Sequence, residues 1–220
     1  TVGWTYEVPN TSAQYLANGQ TAVEKFTVSL SDGQGGSVTE TVTITVSGNN
    51  DGPTITLAGT DVIGAITEDA SIPTLTDTGT IVFNDVDLVD THTATAVKAS
   101  GSLGGTLTLG TVSEAANAAN GTVSWTYSLP NTSAQYLAKG QTAVETFTVT
   151  ISDGQGGTVM DLVTVTVTGR NDGPSIEATG TVTSGAMTED TGSNIPTLSD
   201  SGSIAFSDVD LRDTHTATAA

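Results

Sequence analysis

Asp85-Val86-Asp87-Leu88-Val89-Asp90 puts three carboxylates into six residues, and Asp208-Val209-Asp210-Leu211-Arg212-Asp213 repeats the pattern 123 residues later. Asn50-Asp51 and Asn171-Asp172, each followed by Gly-Pro, add an amide and a carboxylate where runs of alternating Thr and Val stop. Asp32 and Asp153 each open an Asp-Gly-Gln-Gly-Gly stretch, and Glu68-Asp69 is an adjacent acidic pair. With no Cys in the chain, the chemistry these residues offer is oxygen ligation of a hard cation. Carboxylates crowd together only when a positive charge neutralises them, and six to eight oxygens in flexible geometry is what calcium takes. Magnesium, with its strict octahedron, suits the pattern less. The run is no EF-hand, because Asp90 and Ala96 stand where that loop needs Gly and Glu, and no nine-residue calcium β-roll repeat recurs. One such loop alone would read as a solvated acidic surface; its repetition favours a cation.

Catalysis fits poorly. The two histidines, His92 and His215, are one repeat position seen twice beside the acidic loop, and they read as loop hydrogen-bonding groups rather than ligands. No zinc spacing and no Gly-x-Ser-x-Gly occurs. A carboxylate pair for glycoside hydrolysis is the one catalytic option left, but such a pair needs a singular pocket, whereas these acids belong to a tandem pattern. The expectation is that the chain is not an enzyme.

The elements that must hold the acids are set by the repeat. Residues 1–52 align without a gap on 122–173 with 38 identical positions, and residues 53–97 align on 174–220 once two residues are inserted near Gly192-Ser193. The chain is therefore read as the rear of one repeat (1–52), a whole repeat (53–173) and the front of another (174–220), an internal piece of a tandem array. Val2, Trp4, Tyr6 and Val8 alternate with polar residues, as do Phe26, Val28 and Leu30 and then Val42, Ile44 and Val46. Period two predicts half-buried antiparallel strands, with a helical turn near Thr11–Leu16 and a Gly-rich hairpin over 31–36. In the whole repeat, strands are predicted over 54–58, 79–84, 94–99 and 106–112, followed by three more that copy residues 1–52. Seven short strands without helical periodicity predict an all-β fold: tandem Greek-key β-sandwiches of immunoglobulin or cadherin type, end to end. Trp125 and Tyr127 are predicted in the core.

Strand order then decides where the acids go. If the first strand runs away from the preceding linker and the second returns, the Asp85–Asp90 loop and the Asp153 hairpin share one pole, and Glu68-Asp69 lies at the other. Each junction would gather an acidic pair from the unit before, Asn-Asp from the linker, and the Asp-x-Asp loop plus a hairpin Asp from the unit after. Five Lys and Arg against 24 Asp and Glu give a net charge of −19, which repels nucleic acid and anionic membranes and favours cations. No apolar run approaches the roughly 20 residues that span a bilayer, no secretion leader is read in the sequence, and the missing cysteines are compatible with an exported bacterial protein.

The strings Gly-Thr-Ile-Val-Phe-Asn-Asp-Val-Asp-Leu (79–88), Thr-His-Thr-Ala (91–94), Trp-Thr-Tyr (125–127), Gln-Tyr-Leu (135–137), Ser-Asp-Gly-Gln-Gly-Gly (152–157) and Val-Thr-Gly-x-Asn-Asp-Gly-Pro (167–174) resemble the VCBS repeat, a bacterial cadherin-like module. The resemblance covers the whole chain. It implies tandem arrays in very large secreted adhesins, often with an RTX region at the C-terminus, in which calcium-stiffened repeats act as extenders at the cell surface or in the extracellular matrix and take part in adhesion and biofilm. It also implies calcium between domains, as in cadherins. The linker departs from the family's common Asn-Asp-Ala-Pro in having Gly52 and Gly173, which leaves the junction more pliant.

Two further readings compete with the spacer: a self-assembling subunit of an extracellular filament or surface layer, in which copies meet head to tail, and a calcium-dependent glycan binder. The aromatic residues lie on predicted inward faces, which disfavours a glycan site on these units; a glycan or surface ligand would then be met by other domains.

Overall fold

A computed structural model describes residues 1–71, 73–189, 191 and 197–219; the insertion near Gly192-Ser193 lies outside them. Thirteen strands are found among the described residues: β1 (Thr21–Ser31), β2 (Ser37–Ser47), β3 (Thr54–Ile55), β4 (Ile63–Thr67), β5 (Thr74–Asn84), β6 (Thr93–Ser100), β7 (Thr106–Leu109), β8 (Ser113–Glu114), β9 (Asn120–Pro130), β10 (Thr142–Ser152), β11 (Thr158–Thr168), β12 (Ser175–Val182) and β13 (Ser203–Ser207). Asn10–Ser12 and Asn131–Ser133 each form a single 3₁₀ turn. The protein is all-β, and no described helix is long and apolar enough to cross a membrane.

Residues 53–173 form a β-sandwich. One sheet has the order β3-β5-β9-β7, with β8 also on β9, and the other has the order β4-β11-β10-β6. Thr and Val alternate along β10 and β11, so one side of each strand is apolar, and those sides face the first sheet. Ile81, Phe83, Val123, Trp125, Tyr127 and Leu129 of the first sheet meet Phe147, Val149, Ile151, Val163, Val165 and Val167 of the second in one cluster. Each such side chain, fully withdrawn from water, contributes roughly 1.5–3 kcal/mol before entropy is counted. Trp125 lies over Gly79, where a Cβ would come within 2.5 Å of the indole, and its Nε1–H donates to the Asp61 carbonyl at 2.7 Å.

Two strands of the whole unit were absent from the seven predicted. The chain leaves β3 through a turn at Leu57–Thr60, with Gly59 at φ 86°, and re-enters as β4 in the opposite sheet. There β4 runs parallel to β11, Thr67 beside Thr168, a pairing that no local alternation signals. The second, two-residue β8, closes on β9 at Gly121 and Thr122. The predicted second strand is also longer, starting at Thr74 rather than 79.

The strand expected over Val2–Val8 does not form. Its counterpart β9 is held by β5 on one side and β7 on the other, and residues 1–52 contain neither, so alternation alone gives no ladder partner. Among the described residues β1 and β2 pair only with each other, and β12 pairs with β13. Trp4 is accordingly 60% exposed where Trp125 is fully buried.

Candidate metal centre

The Asp153 hairpin is built by its own side chain. Asp153 Oδ1 accepts the N–H groups of Gln155 at 2.7 Å and Gly157 at 3.0 Å, while Gly154 and Gly156 take the positive φ values, 74° and 112°, that the tight connection needs. That leaves Oδ2 turned toward the linker, where it accepts from Asn50 Nδ2 at 3.0 Å. In the 85–90 loop, Asp85 Oδ1 accepts the Asp87 N–H at 3.0 Å, an Asx turn that folds the run back on itself. Asp87 Oδ2 then receives the Asp51 N–H of the linker at 2.8 Å. Carboxylate oxygens of Asp85, Asp90 and Asp153 lie within 4.8 Å of one another. Asp85 and Asp87 are each only 2% exposed, a costly arrangement for uncompensated anions.

The second junction has the same construction. Asp208 Oδ1 accepts the Asp210 N–H at 3.0 Å, and Asp210 Oδ2 accepts the Asp172 N–H at 2.9 Å. The parallel β4–β11 pair delivers Glu68 to this linker: its N–H donates to the Thr168 carbonyl, and its Oε2 accepts the Arg170 N–H at 2.7 Å. Glu68 Oε1 is held by Gln135 Nε2 at 2.8 Å. The geometry thus brings Asn50, Asp51, Asp85, Asp87, Asp90 and Asp153 together at the first junction, and Glu68, Asp172, Asp208 and Asp210, with Asp213 closing the loop on the Asp210 carbonyl, at the second.

Three sequence candidates stand apart. Asp69 spends Oδ1 on the Ser71 N–H and hydroxyl. Asn171 turns its amide to the Asp172 carbonyl rather than to a hairpin carboxylate. Among the described residues Asp32 is bound only by the amides of its own hairpin, Gln34 and Gly36, and joins neither cluster.

Five buried oxygens have no hydrogen-bond donor among the described residues: Asn50 Oδ1, Asp87 Oδ1, Asp90 Oδ2, Asp172 Oδ2 and Asp210 Oδ1. All belong to the two junctions: Asp87 and Asp210 occupy the same place in the two loops, while Asn50 and Asp172 are adjacent, not equivalent, places of the linker. A buried carboxylate oxygen without a donor is expensive, and an all-oxygen set of this kind fits a hard divalent cation. Asp85, Asp87, Asp90, Asp153, Asn50 and the second-junction acids would hold it.

His92, expected as a loop hydrogen-bonding group, has its imidazole clamped between Glu114 Oε2, 2.7 Å from Nδ1, and Asp85 Oδ2, 3.1 Å from Nε2. Glu114 also accepts the His92 N–H. His215 touches Asp208 in the same way at 2.8 Å, and both rings tilt against the preceding Phe, Phe83 and Phe206. Glu114 and Arg170 have no sequence signal that marks them as site residues; Gln135 stands in a repeated motif, recurring as Gln14 within Ser-Ala-Gln-Tyr-Leu, but nothing local ties it to the acids.

Burial raises the pKa of Glu68, Asp87, Asp90 and Asp172, and neighbouring carboxylates add to it. Burial alone would push His92 down, but its bonds to Asp85 and Glu114 outweigh that and hold it above the ordinary value. Groups with raised folded pKa values contribute stability that is complete below the unfolded pKa and lost as pH rises through the folded one. For Asp153 and Asp208 burial and hydrogen bonding compete and the bonds win, lowering both, so their contribution is lost only in stronger acid, as pH falls through the folded value. In chelator, thermal stability should therefore increase as pH is lowered from about 7.5 toward 5, between the ordinary His and carboxylate ranges. In millimolar calcium, protons compete with the ion and the slope should reverse. Melting curves at both conditions check this; the same slope in each would refute it.

No protein-family model matches the chain, and no curated protein matches it.

Proposed function

We propose that this chain is a calcium-stiffened extender segment of a large secreted bacterial surface adhesin, built from cadherin-like Greek-key repeats that resemble the VCBS module. The observation that supports it most is the duplicated junction: at both linkers an Asp amide is tied to the second Asp of an Asp-x-Asp loop, and the other oxygen of that buried Asp has no donor. A cation bound there would join a linker to the unit that follows it, and at the second junction Glu68 would bring in the unit before. In this reading calcium removes carboxylate repulsion and fixes the angle between units, the residues are not catalytic, and adhesion falls to other domains of the parent protein.

A second reading, head-to-tail assembly of copies, is favoured by a separate observation. Phe26, Val28 and Leu30 on β1 and Ile204 and Phe206 on β13 are exposed, whereas their counterparts Phe147, Val149, Ile151, Ile81 and Phe83 are buried against one another. Two copies could recreate that packing, which does not close and so propagates. Small-angle scattering of the 220-residue chain separates the outcomes. An elongated monomer in 5 mM calcium that gains flexibility in chelator is the extender result. Mass that rises with concentration is the assembly result. A compact monomer in both conditions would overturn both.

A further inference from the structure

We infer that Arg170 is a counter-cation built into the second junction, weakening its hold on calcium so that the two junctions become occupied at different calcium concentrations; this rests on the calcium reading above. The two linkers, Gly48 to Pro53 and Gly169 to Pro174, are identical except at one place, where Asn49 corresponds to Arg170. That place is central to the site. The Arg170 amide donates to Glu68 Oε2 at 2.7 Å, and two residues on, the Asp172 amide donates to Asp210 Oδ2 at 2.9 Å. The residue is thus held between the acid supplied by the unit before and those of the unit after.

Arg170 is exposed, yet its positive charge acts on Glu68, Asp69 and Asp172 and opposes the upward push that burial gives Glu68 and Asp172. The other groups facing this site are Asp208, Asp210, Asp213, His215 and Gln135, of which His215 could add positive charge; Arg212 is a further cation of the same loop, where the first junction has Val89, and the substitutions at 170 and 49 leave it in place. At the first junction His92 alone plays that part, for Asp90. A guanidinium is charged at every relevant pH, so the effect is not a titration.

A fixed positive charge beside a cation site acts in two directions. Without calcium it offsets repulsion among the acids and keeps the joint together. With calcium it competes, and at ordinary ionic strength an exposed charge several ångströms away should weaken binding by about three- to tenfold. The first junction, whose linker carries Asn49 in place of a permanent charge, is then the one whose rigidity depends most on the ion.

The test uses the full chain with calcium chloride as the probe, followed by calorimetry. In a D87N/D153N background, which leaves the second junction, R170N should raise calcium affinity about three- to tenfold while lowering the melting temperature in chelator; R170K should match the parent. In a D172N/D210N background, N49R should weaken binding at the first junction by a similar factor. A merely structural arginine would lose affinity on replacement, so the sign of the change is decisive. Unchanged or weakened binding in R170N overturns the inference while leaving the calcium reading intact. No calcium uptake by the unsubstituted chain overturns both.

Discussion

Calcium at about 10 mM is expected to raise the melting temperature of the chain by roughly 5–10 °C over its value in chelator. The figure follows from linkage. Weak extracellular sites bind at about 10⁻⁴ to 10⁻³ M, so at 10 mM each contributes about 1.4–2.7 kcal/mol to the folded state. The shift should be concentrated in the acids whose oxygens lack donors. D172N/D210N should remove the share of the second junction and D87N/D153N that of the first, because the amide keeps the volume and the linker bonds but not the charge. Magnesium at the same concentration should do less, since it demands a near-ideal octahedron and gives up its waters reluctantly. If the response persists when all four acids are replaced, calcium does not bind at these junctions.

Replacing Glu145 with alanine should cost the 53–173 sandwich about 3–5 kcal/mol, the largest effect expected of any single polar substitution. This carboxylate is fully buried and satisfied on every side. Its Oε1 takes Lys98 Nζ at 2.5 Å and the Leu103 and Gly104 amides at 2.9 and 3.2 Å; its Oε2 takes the Gly105 amide at 2.9 Å and the Tyr127 hydroxyl at 2.8 Å. Burial would raise its pKa, but Lys98 and Tyr127 more than compensate, and it sits below the usual range. Alanine would strand four donors and a lysine, and free the loop between β6 and β7. Urea unfolding in a W4F background, read through Trp125, measures the cost, and hydrogen exchange at Leu103–Gly105 locates it. K98M/E145M should be milder than E145A, since replacing both partners leaves no charge unpaired. A loss under about 1 kcal/mol for E145A would mean the network adds no more than an ordinary surface hydrogen bond.

The same glutamate separates what was legible from what was not. Glu24 is its counterpart, with Tyr6 in the place of Tyr127, yet Glu24 is exposed and its substitution should change stability by no more than about 0.5 kcal/mol. Nothing local distinguishes the two copies. The difference lies in the Lys98–Gly105 segment, which covers Glu145 and which residues 1–52 do not contain.

By itself the amino-acid sequence determined the all-β class, the 121-residue repeat, the core role of Trp125 and Tyr127, and the clustering of Asp85, Asp87 and Asp90 in one loop. Those properties are local: period-two alternation fixes which side of a strand is apolar, and a short Asx-turned run keeps its acids together whatever surrounds it. Only the tertiary structure decided that the chain changes sheets after Gly59, that Val2–Val8 lacks a ladder, and that Glu68 meets Arg170 while Asp69 turns back on Ser71. Each of those depends on a partner far away in the chain. A strand exists only when another strand satisfies its backbone, and a side chain is buried only when a distant segment covers it, so residues of identical type and spacing end in core or in water according to what packs against them.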